Sequence, residues 1–262
     1  MLSKERLQSA GFPNTRTIMS KGKIRIGTSG WHYTHWKGPF YPKEMGPARF
    51  LSHYVRHFQT VEINNSFYRL PEKKTFSEWK SSSPARFLFS VKASRYITHV
   101  KKLKDPKAPL QKFFTRAQAL EKKMGPILFQ LPPNWKVNSE RLENFLKALP
   151  PRKKYAFEFR DPSWHNEEIY FLLKKYRAAF CIYDFDRYQS PKILTTNFTY
   201  IRLHGPKEAY RGQYSYSKLS TWAKNFREWS SKGKDIYCYF DNDEAAYAVK
   251  DALRLQKMLH IR

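Results

Sequence analysis

FTYIRLHG, at residues 198–205, alternates apolar and polar side chains and stops at a glycine. Successive side chains of a strand face opposite ways, so Arg202 and His204 share one face while Ile201 and Leu203 share the other. The apolar face asks for covering helices. The polar face brings a cation and an imidazole to the end of the strand. Two other runs repeat the pattern. In TVEINNSFY (60–68) Glu62 and Asn64 alternate with Val61 and Ile63, and in KYAFEFRDPSW (154–164) Glu158 and Arg160 alternate with Phe157 and Phe159. Further apolar runs that end on polar or charged residues lie at 23–31, 86–94, 126–133, 178–184 and 235–243.

Helix-like segments separate these runs, at about 47–58, 73–82, 109–124, 139–149, 165–177, 217–232 and 243–260. Ser139 and Ser217 stand where N-caps are expected, and Gly125 and Gly233 where C-caps are. Strands alternating with single helices predict a parallel sheet. Eight such units predict an α/β fold closed as a (β/α)8-like TIM barrel. The stretch between Asp184 and Thr196 has little helical character, so the helix after strand six is expected to be shortened or missing. Residues 23–262 read as one barrel domain and 1–22 as a basic N-terminal extension. In such a barrel the chemistry sits at the carboxyl ends of the strands, where the polar residues of every run collect.

The chain of 262 residues carries 49 Lys and Arg against 22 Asp and Glu, a formal charge of +27. Hydrophobic content of 41 % and aromatic content of 17 % suffice for a core and exclude global disorder. The charge excess implies contact with a polyanion, nucleic acid ahead of anionic membrane. Scattered Lys and Arg on the helices also fit a surface that needs only solubility. Cys181 and Cys238 both fall within apolar runs, which predicts buried free thiols and a reducing, cytoplasmic location. No run approaches the length of a membrane span, and the N-terminus lacks the apolar core of a secretory signal.

Several segments together resemble the YecE-like family, domain of unknown function 72. They are GTSGW with Trp36 and FYP (40–42), VEINNSFYRLP (61–71), FSVKASRYITH (89–99), PILFQLPP (126–133), FEFRDPSW (157–164), YIRLHG (200–205) with YRGQYS (210–215), and YFDND (239–243). The resemblance covers every predicted strand. It implies a (β/α)8-like barrel with an open polar cavity, and it suggests nucleic-acid or sugar-phosphate chemistry by likeness to metal-dependent endonuclease and sugar-isomerase barrels. The eighth strand ends Tyr239-Phe240-Asp241-Asn242, where the family more often shows Phe-Asn-Asn, so this chain adds a carboxylate.

Glu62 and Glu158 come from strands two and five, on opposite sides of a barrel, and could serve as general acid and base. The same residues also fit internal neutralisation, Glu158 by Arg160 and Glu62 by Lys92. His204 is placed to assist proton transfer. Lys92, Arg160 and Arg202 bring three cations to one mouth, a natural seat for phosphate, balanced by Glu62, Glu158 and Asp184. His99 lies in the loop after strand three, and Asn64, Gln130, Asp184 and Asn242 are expected to orient groups. Trp31, Trp36, Tyr68, Trp164 and Tyr239 are the candidate stacking surfaces for bases or sugar rings; packing of the loops is the alternative. Gly27-Thr28-Ser29-Gly30 could offer backbone N–H groups to a phosphate.

A Glu62, Glu158, Asp184 and His204 set lacks metal-ligand spacing and is interleaved with cations, so no metal ligand is assigned and no cofactor is identified. Taken together the residues predict a protein that binds a phosphate-containing ligand, nucleic acid or nucleotide, with phosphoester hydrolysis as its chemistry. A non-catalytic nucleic-acid-binding protein, with rim lysines Lys101, Lys102 and Lys104, is the first alternative. A carbohydrate-active enzyme using Glu62 and Glu158 is the second.

Overall fold

Strands run along Ile24–Thr28 (β1), Thr60–Ile63 (β2), Leu88–Lys92 (β3), Met124–Leu131 (β4), Tyr155–Phe159 (β5), Ala179–Phe185 (β6), Tyr188–Gln189 (β7), Phe198–Leu203 (β8) and Asp235–Phe240 (β9). The computed structural model describes residues 20–261, so the extension expected over 1–22 lies, but for 20–22, outside the described residues. Hydrogen-bonded neighbours follow the order β1-β9-β8-β6-β5-β4-β3-β2, all parallel, with β7 alone antiparallel on β6. Eight parallel strands therefore wrap almost into a closed barrel.

Helices Phe50–Tyr54 (α1), Lys73–Ser81 (α2), Lys107–Ala117 (α3), Ser139–Ala148 (α4), Glu167–Lys175 (α5), Tyr216–Ser231 (α6) and Tyr247–Leu259 (α7) cover the outside. Each turns an apolar stripe inward. In α6 the buried residues Leu219, Trp222, Ala223, Phe226 and Trp229 follow helical spacing, and each large one stabilises the shell by about 1.5–3 kcal/mol. The caps differ in detail from expectation. Asn138 and Ser215 accept the first-turn N–H bonds of α4 and α6, from Arg141 and Lys218, in place of Ser139 and Ser217. Gly233, at φ 74°, does follow the end of α6, whereas Gly125 lies inside β4.

The helix after β6 is absent, as expected. Asp186 and Arg187, both at positive φ, turn the chain back tightly so that β7 pairs with β6. Where the helix would lie, Thr195 Oγ1 accepts from Phe180 N and donates to Ala178 O.

The seam between β1 and β2 decides the shape of the mouth. Only one bridge joins them, Ser29 to Glu62, with Gly30 N donating to Glu62 O at 2.8 Å. Below it a side chain replaces the ladder. The Tyr54 hydroxyl of α1 accepts from Thr28 N at 2.9 Å and donates to Thr60 O at 3.2 Å. Gly27 is required here, because a Cβ at that position would stand 2.2 Å from Thr60 O.

Candidate functional site

Inside the barrel the side chains form layers. The floor is apolar and aromatic: Leu128, Ala156, Ala179, Cys181, Phe198, Tyr200, Tyr237 and Tyr239. Above it the same strand faces turn polar. Glu62, Glu158, Arg202 and His204 lie fully buried, and Lys92, Gln130 and Asp241 keep only 6 %, 9 % and 6 % exposure. The second set, with Arg160, forms the surface that meets the mouth.

Arg202 occupies the centre. Its Nε and Nη2 donate to Glu62, its Nη1 to Glu158 Oε2 at 3.0 Å, and its Nη2 also to Asp241 Oδ2 at 3.0 Å. Glu62 further accepts from Ser29 Oγ and from Tyr200 OH, at 2.6 Å for the tyrosine. Glu158 accepts from Gln130 Nε2 at 2.9 Å and from Arg160 Nε. A buried charge must be paired, and here each carboxylate is held by a planar guanidinium fork.

The charges settle accordingly. Burial would raise the Glu158 carboxyl, but Arg160 and Arg202 hold it well below the usual carboxylate range. Asp241 is likewise lowered against its burial by Arg202 and His204. Burial first, then Arg202 and Arg160, push the His204 imidazole down to about 4. That neutral ring accepts at Nε2 from Arg160 Nη2 at 3.0 Å and Arg202 Nη1 at 3.2 Å. The proton therefore belongs on Nδ1, which stands 3.0 Å from Asp241 Oδ2 but out of line for a regular hydrogen bond.

Lys92 is the exception. It makes no ion pair among the described residues, since the three carboxylates are held by Arg202, Arg160 and His204. Its Nζ lies 4.2 Å over the Phe67 ring. Burial, then the neighbouring Arg202, pull its pKa down to about 8. His99 sits on the same flank, edge-on to Phe67 at 4.9 Å, and burial with Lys92 and Arg95 takes it down to about 4.

This barrel matches a known sequence family from end to end: the profile described as "Protein of unknown function DUF72" fits residues 25–262. The chain belongs to the DUF72 family. The UPF0759 protein YunF of Bacillus subtilis is 23 % identical over 271 residues, spanning 91 % of this chain and 95 % of that protein. The UPF0759 protein YecE of Escherichia coli is 29 % identical over 142 residues, 54 % of this chain and 50 % of that protein. A DUF72 protein of Thermotoga maritima superposes with a TM-score of 0.83 at 32 % identity, over 91 % of this chain and 99 % of that one. The YecE-like resemblance and the barrel expected from it are thus both correct.

The DUF72 barrel brings Glu62, Lys92, Gln130, Glu158, Arg160, Arg202 and His204 together, with His99 at the rim. It pairs them differently from expectation in one respect: Glu62 is neutralised by Arg202, not by Lys92. Asp184 is not part of the set. The inward residues of β6 are Cys181 and Tyr183, so period-two alternation turns Asp184 outward, where Lys218 approaches it at 3.4 Å. Asp241 takes the expected third place among the acids. Asn242 faces out by the same parity, and its Nδ2 ties Gly212 O to Asp251 Oδ2, each at 2.8 Å.

The chain leaves the barrel wall at Asn64, which turns toward a groove of about 750 Å³ beside the mouth, with Trp31, Asn65, Tyr68 and Trp79. The tryptophans pack instead of facing a ligand. Trp31 meets Trp79 edge-on at 5.0 Å, Trp36 donates to Asp243, and Trp164 donates to Trp135 O while lying parallel to Phe159. Tyr239 belongs to the floor, bonded to Ser90 Oγ and Thr60 Oγ1. Of the five stacking candidates only Tyr68 is open, at 79 % exposure. The Ser29 and Gly30 N–H groups are taken by Phe240 O and Glu62 O.

Sequence reasoning passed over Phe185 and Tyr200 as site residues, and it weighed Ser29 for its backbone N–H, not for the hydroxyl that meets Glu62. Phe185 carries the Arg160 guanidinium 4.0 Å over its ring. Tyr200 carried a readable signal, since it lies two residues before Arg202 on the same face. Phe67 and Ser29 lie past strand ends, where period-two alternation no longer sets the direction of a side chain.

Proposed function

We propose that the barrel mouth binds a phosphate-containing ligand, a nucleotide or the end of a nucleic-acid strand. The observation that supports this reading is the imbalance of partners at the mouth. The carboxylates of the cluster are each met by guanidinium groups, while Lys92 has no carboxylate partner and neither has Arg95 on the rim among the described residues. An anion completes such a site with charge-assisted hydrogen bonds. Arg160 offers the outer edge of its fork, and Gln130 and the neutral His99 supply polar contacts.

The rim favours a strand end over free phosphate. Tyr68 and Tyr96 are 79 % and 51 % exposed, and each adjoins an arginine in sequence, Arg69 and Arg95. Open aromatic faces beside cations suit unpaired bases, and the overall charge of +27 draws a polyanion.

Hydrolysis driven by Glu62 and Glu158 has less support than binding. Both carboxylates are bound to Arg202 from below and have no exposed surface, so neither is free to accept a proton from a ligand. The same pairing disfavours a glycosidase reading.

The test is binding of 5′-AMP and of a short labelled single-stranded oligonucleotide across a salt series. Lys92→Met and Arg95→Gln should each weaken both ligands by about 1.5–3 kcal/mol. For the oligonucleotide the salt slope should also fall by roughly one unit per lost phosphate contact. Equal affinity of wild type and both variants, or no binding at low salt, would remove the mouth from consideration.

A further inference from the structure

Lys92 is placed unlike an ordinary structural lysine. It is the last residue of β3, and its strand face also carries Ser90, which bonds the floor residue Tyr239. The side chain thus rises from the barrel interior into the mouth. A lysine buried to this extent normally meets a carboxylate. Here Arg202 and Arg160 hold Glu62 and Glu158, and what faces the Lys92 nitrogen is the ring of Phe67. The contact is rigidly built. Ser66 Oγ donates to the Lys92 carbonyl at 2.6 Å, with Ile63 O also within 3.0 Å, pinning the turn that carries Phe67 against the end of β3.

We infer that Lys92 is a nucleophile that condenses with the aldehyde or ketone carbon of a phosphate-bearing ligand, forming an imine at the barrel mouth. The inference rests on the phosphate reading above for the class of ligand, with Arg95 and Arg160 holding the phosphate of such a ligand while Lys92 supplies the reactive amine. An amine reacts only when unprotonated, and enzymes free one by desolvating it or by setting another cation beside it. Both conditions hold at Lys92. With its pKa near 8, about a tenth of the side chain is free amine at neutral pH, against under roughly a thousandth for an ordinary lysine.

The step balances without a further reactant. The Nζ lone pair attacks the carbonyl carbon, the C=O pair moves to oxygen, and that oxygen takes up a proton. The nitrogen of the resulting carbinolamine then loses a proton. Its hydroxyl takes up a second proton and departs as water as the lone pair closes the C=N bond, and the iminium nitrogen gives up its remaining proton to leave the imine. Amine and carbonyl give imine and water, with no change in oxidation state. The neutral imidazole of His99, on the same flank, is suited to carry the proton between nitrogen and oxygen. Two ligand classes share this chemistry: a small phosphorylated sugar in its open-chain form, and the ring-opened deoxyribose of an abasic site in a DNA strand.

The full-length protein is incubated with glyceraldehyde 3-phosphate, with unphosphorylated glyceraldehyde, or with a short single-stranded DNA holding one abasic site. Sodium cyanoborohydride is then added and adducts are mapped by peptide mass spectrometry. The expected result is adduct occupancy at Lys92 about tenfold above any other lysine, lost in Lys92→Met. Comparison among lysines within the wild-type map decides the matter even where that variant folds poorly. The preferred probe distinguishes small sugar from strand. Trapping at Lys92 that ignores the phosphate upholds the nucleophile and removes the phosphate reading. Phosphorylated probes that bind without trapping, or adducts spread evenly over surface lysines, overturn the nucleophile and leave the phosphate reading standing. Absence of both binding and trapping overturns both.

Discussion

Arg202 reaches across the barrel interior to Glu62, and its Nε and Nη2 donate to both carboxylate oxygens at 2.8–3.2 Å. The same guanidinium takes Glu158 with Nη1 and Asp241 with Nη2. One side chain on β8 therefore neutralises acids from β2 and β5 and from the end of β9. They stand at separate places around the ring, and β2 borders the seam with β1.

Removing that cation leaves the buried Glu62 without an ion-pair partner among the described residues and takes one of two guanidinium groups from Glu158. Arg202→Met should cost about 3–5 kcal/mol of stability, read from the urea midpoint. Arg202→Lys should recover little of it, because a point-like ammonium cannot serve three carboxylates with a planar fork. A loss within about 1 kcal/mol for Arg202→Met would show that the acids are solvated.

Acid stability should depend on His204. The folded imidazole titrates near 4 against an ordinary 6.5. As the pH falls below about 6.5 the unfolded chain takes up this proton before the folded one does. The folded state therefore loses stability progressively down to about pH 4, by about 3 kcal/mol in all. The lowered Glu158 and Asp241 act in the same sense in a lower window: the stability they lend is present above the ordinary carboxylate range and is lost as the pH falls through it. Denaturation of His204→Gln at several pH values isolates the imidazole, since the other titrating groups are common to both proteins. The variant should show a flatter decline between pH 7 and 4; parallel curves would contradict the burial of a neutral ring.

The seam offers a third test. Tyr54→Phe leaves Thr28 N without its acceptor and Thr60 O without a donor. The expected cost is about 1–3 kcal/mol, with faster hydrogen exchange at the Thr28 amide. Unchanged exchange there would mean that the strands pair directly.

Asp241→Asn removes the carboxylate that follows β9 and meets Arg202 and His204. Glu62 and Glu158 still satisfy Arg202, so the fold should persist. The mouth then gains one net positive charge. Affinity for 5′-AMP should rise by about 1 kcal/mol, roughly fivefold, in isothermal titration. Weaker binding would place Asp241 itself among the ligand contacts.

Much of this was legible in the chain. Alternation in 60–68, 154–164 and 198–205 set Glu62, Glu158, Arg160, Arg202 and His204 on inward faces, because a strand's two-residue period is local geometry. Extending the same parity count along β6 and β9 would have turned Asp184 and Asn242 outward. The tryptophans show where local reasoning ends. Trp31, Trp36 and Trp164 follow strands directly, yet the turns after each strand fold them back against the outer wall.

The sequence by itself determined the barrel, the missing helix after β6 and the polar crown at the strand ends, since each follows from short-range periodicity and turn chemistry. Only the tertiary structure decided which charge meets which. Glu62 and Arg202 are 140 residues apart, and their meeting depends on strand order and on closure at the Tyr54 seam. Lys92 was left without a carboxylate by that same long-range choice: once Arg202 holds Glu62, no acid within reach of Lys92 is free.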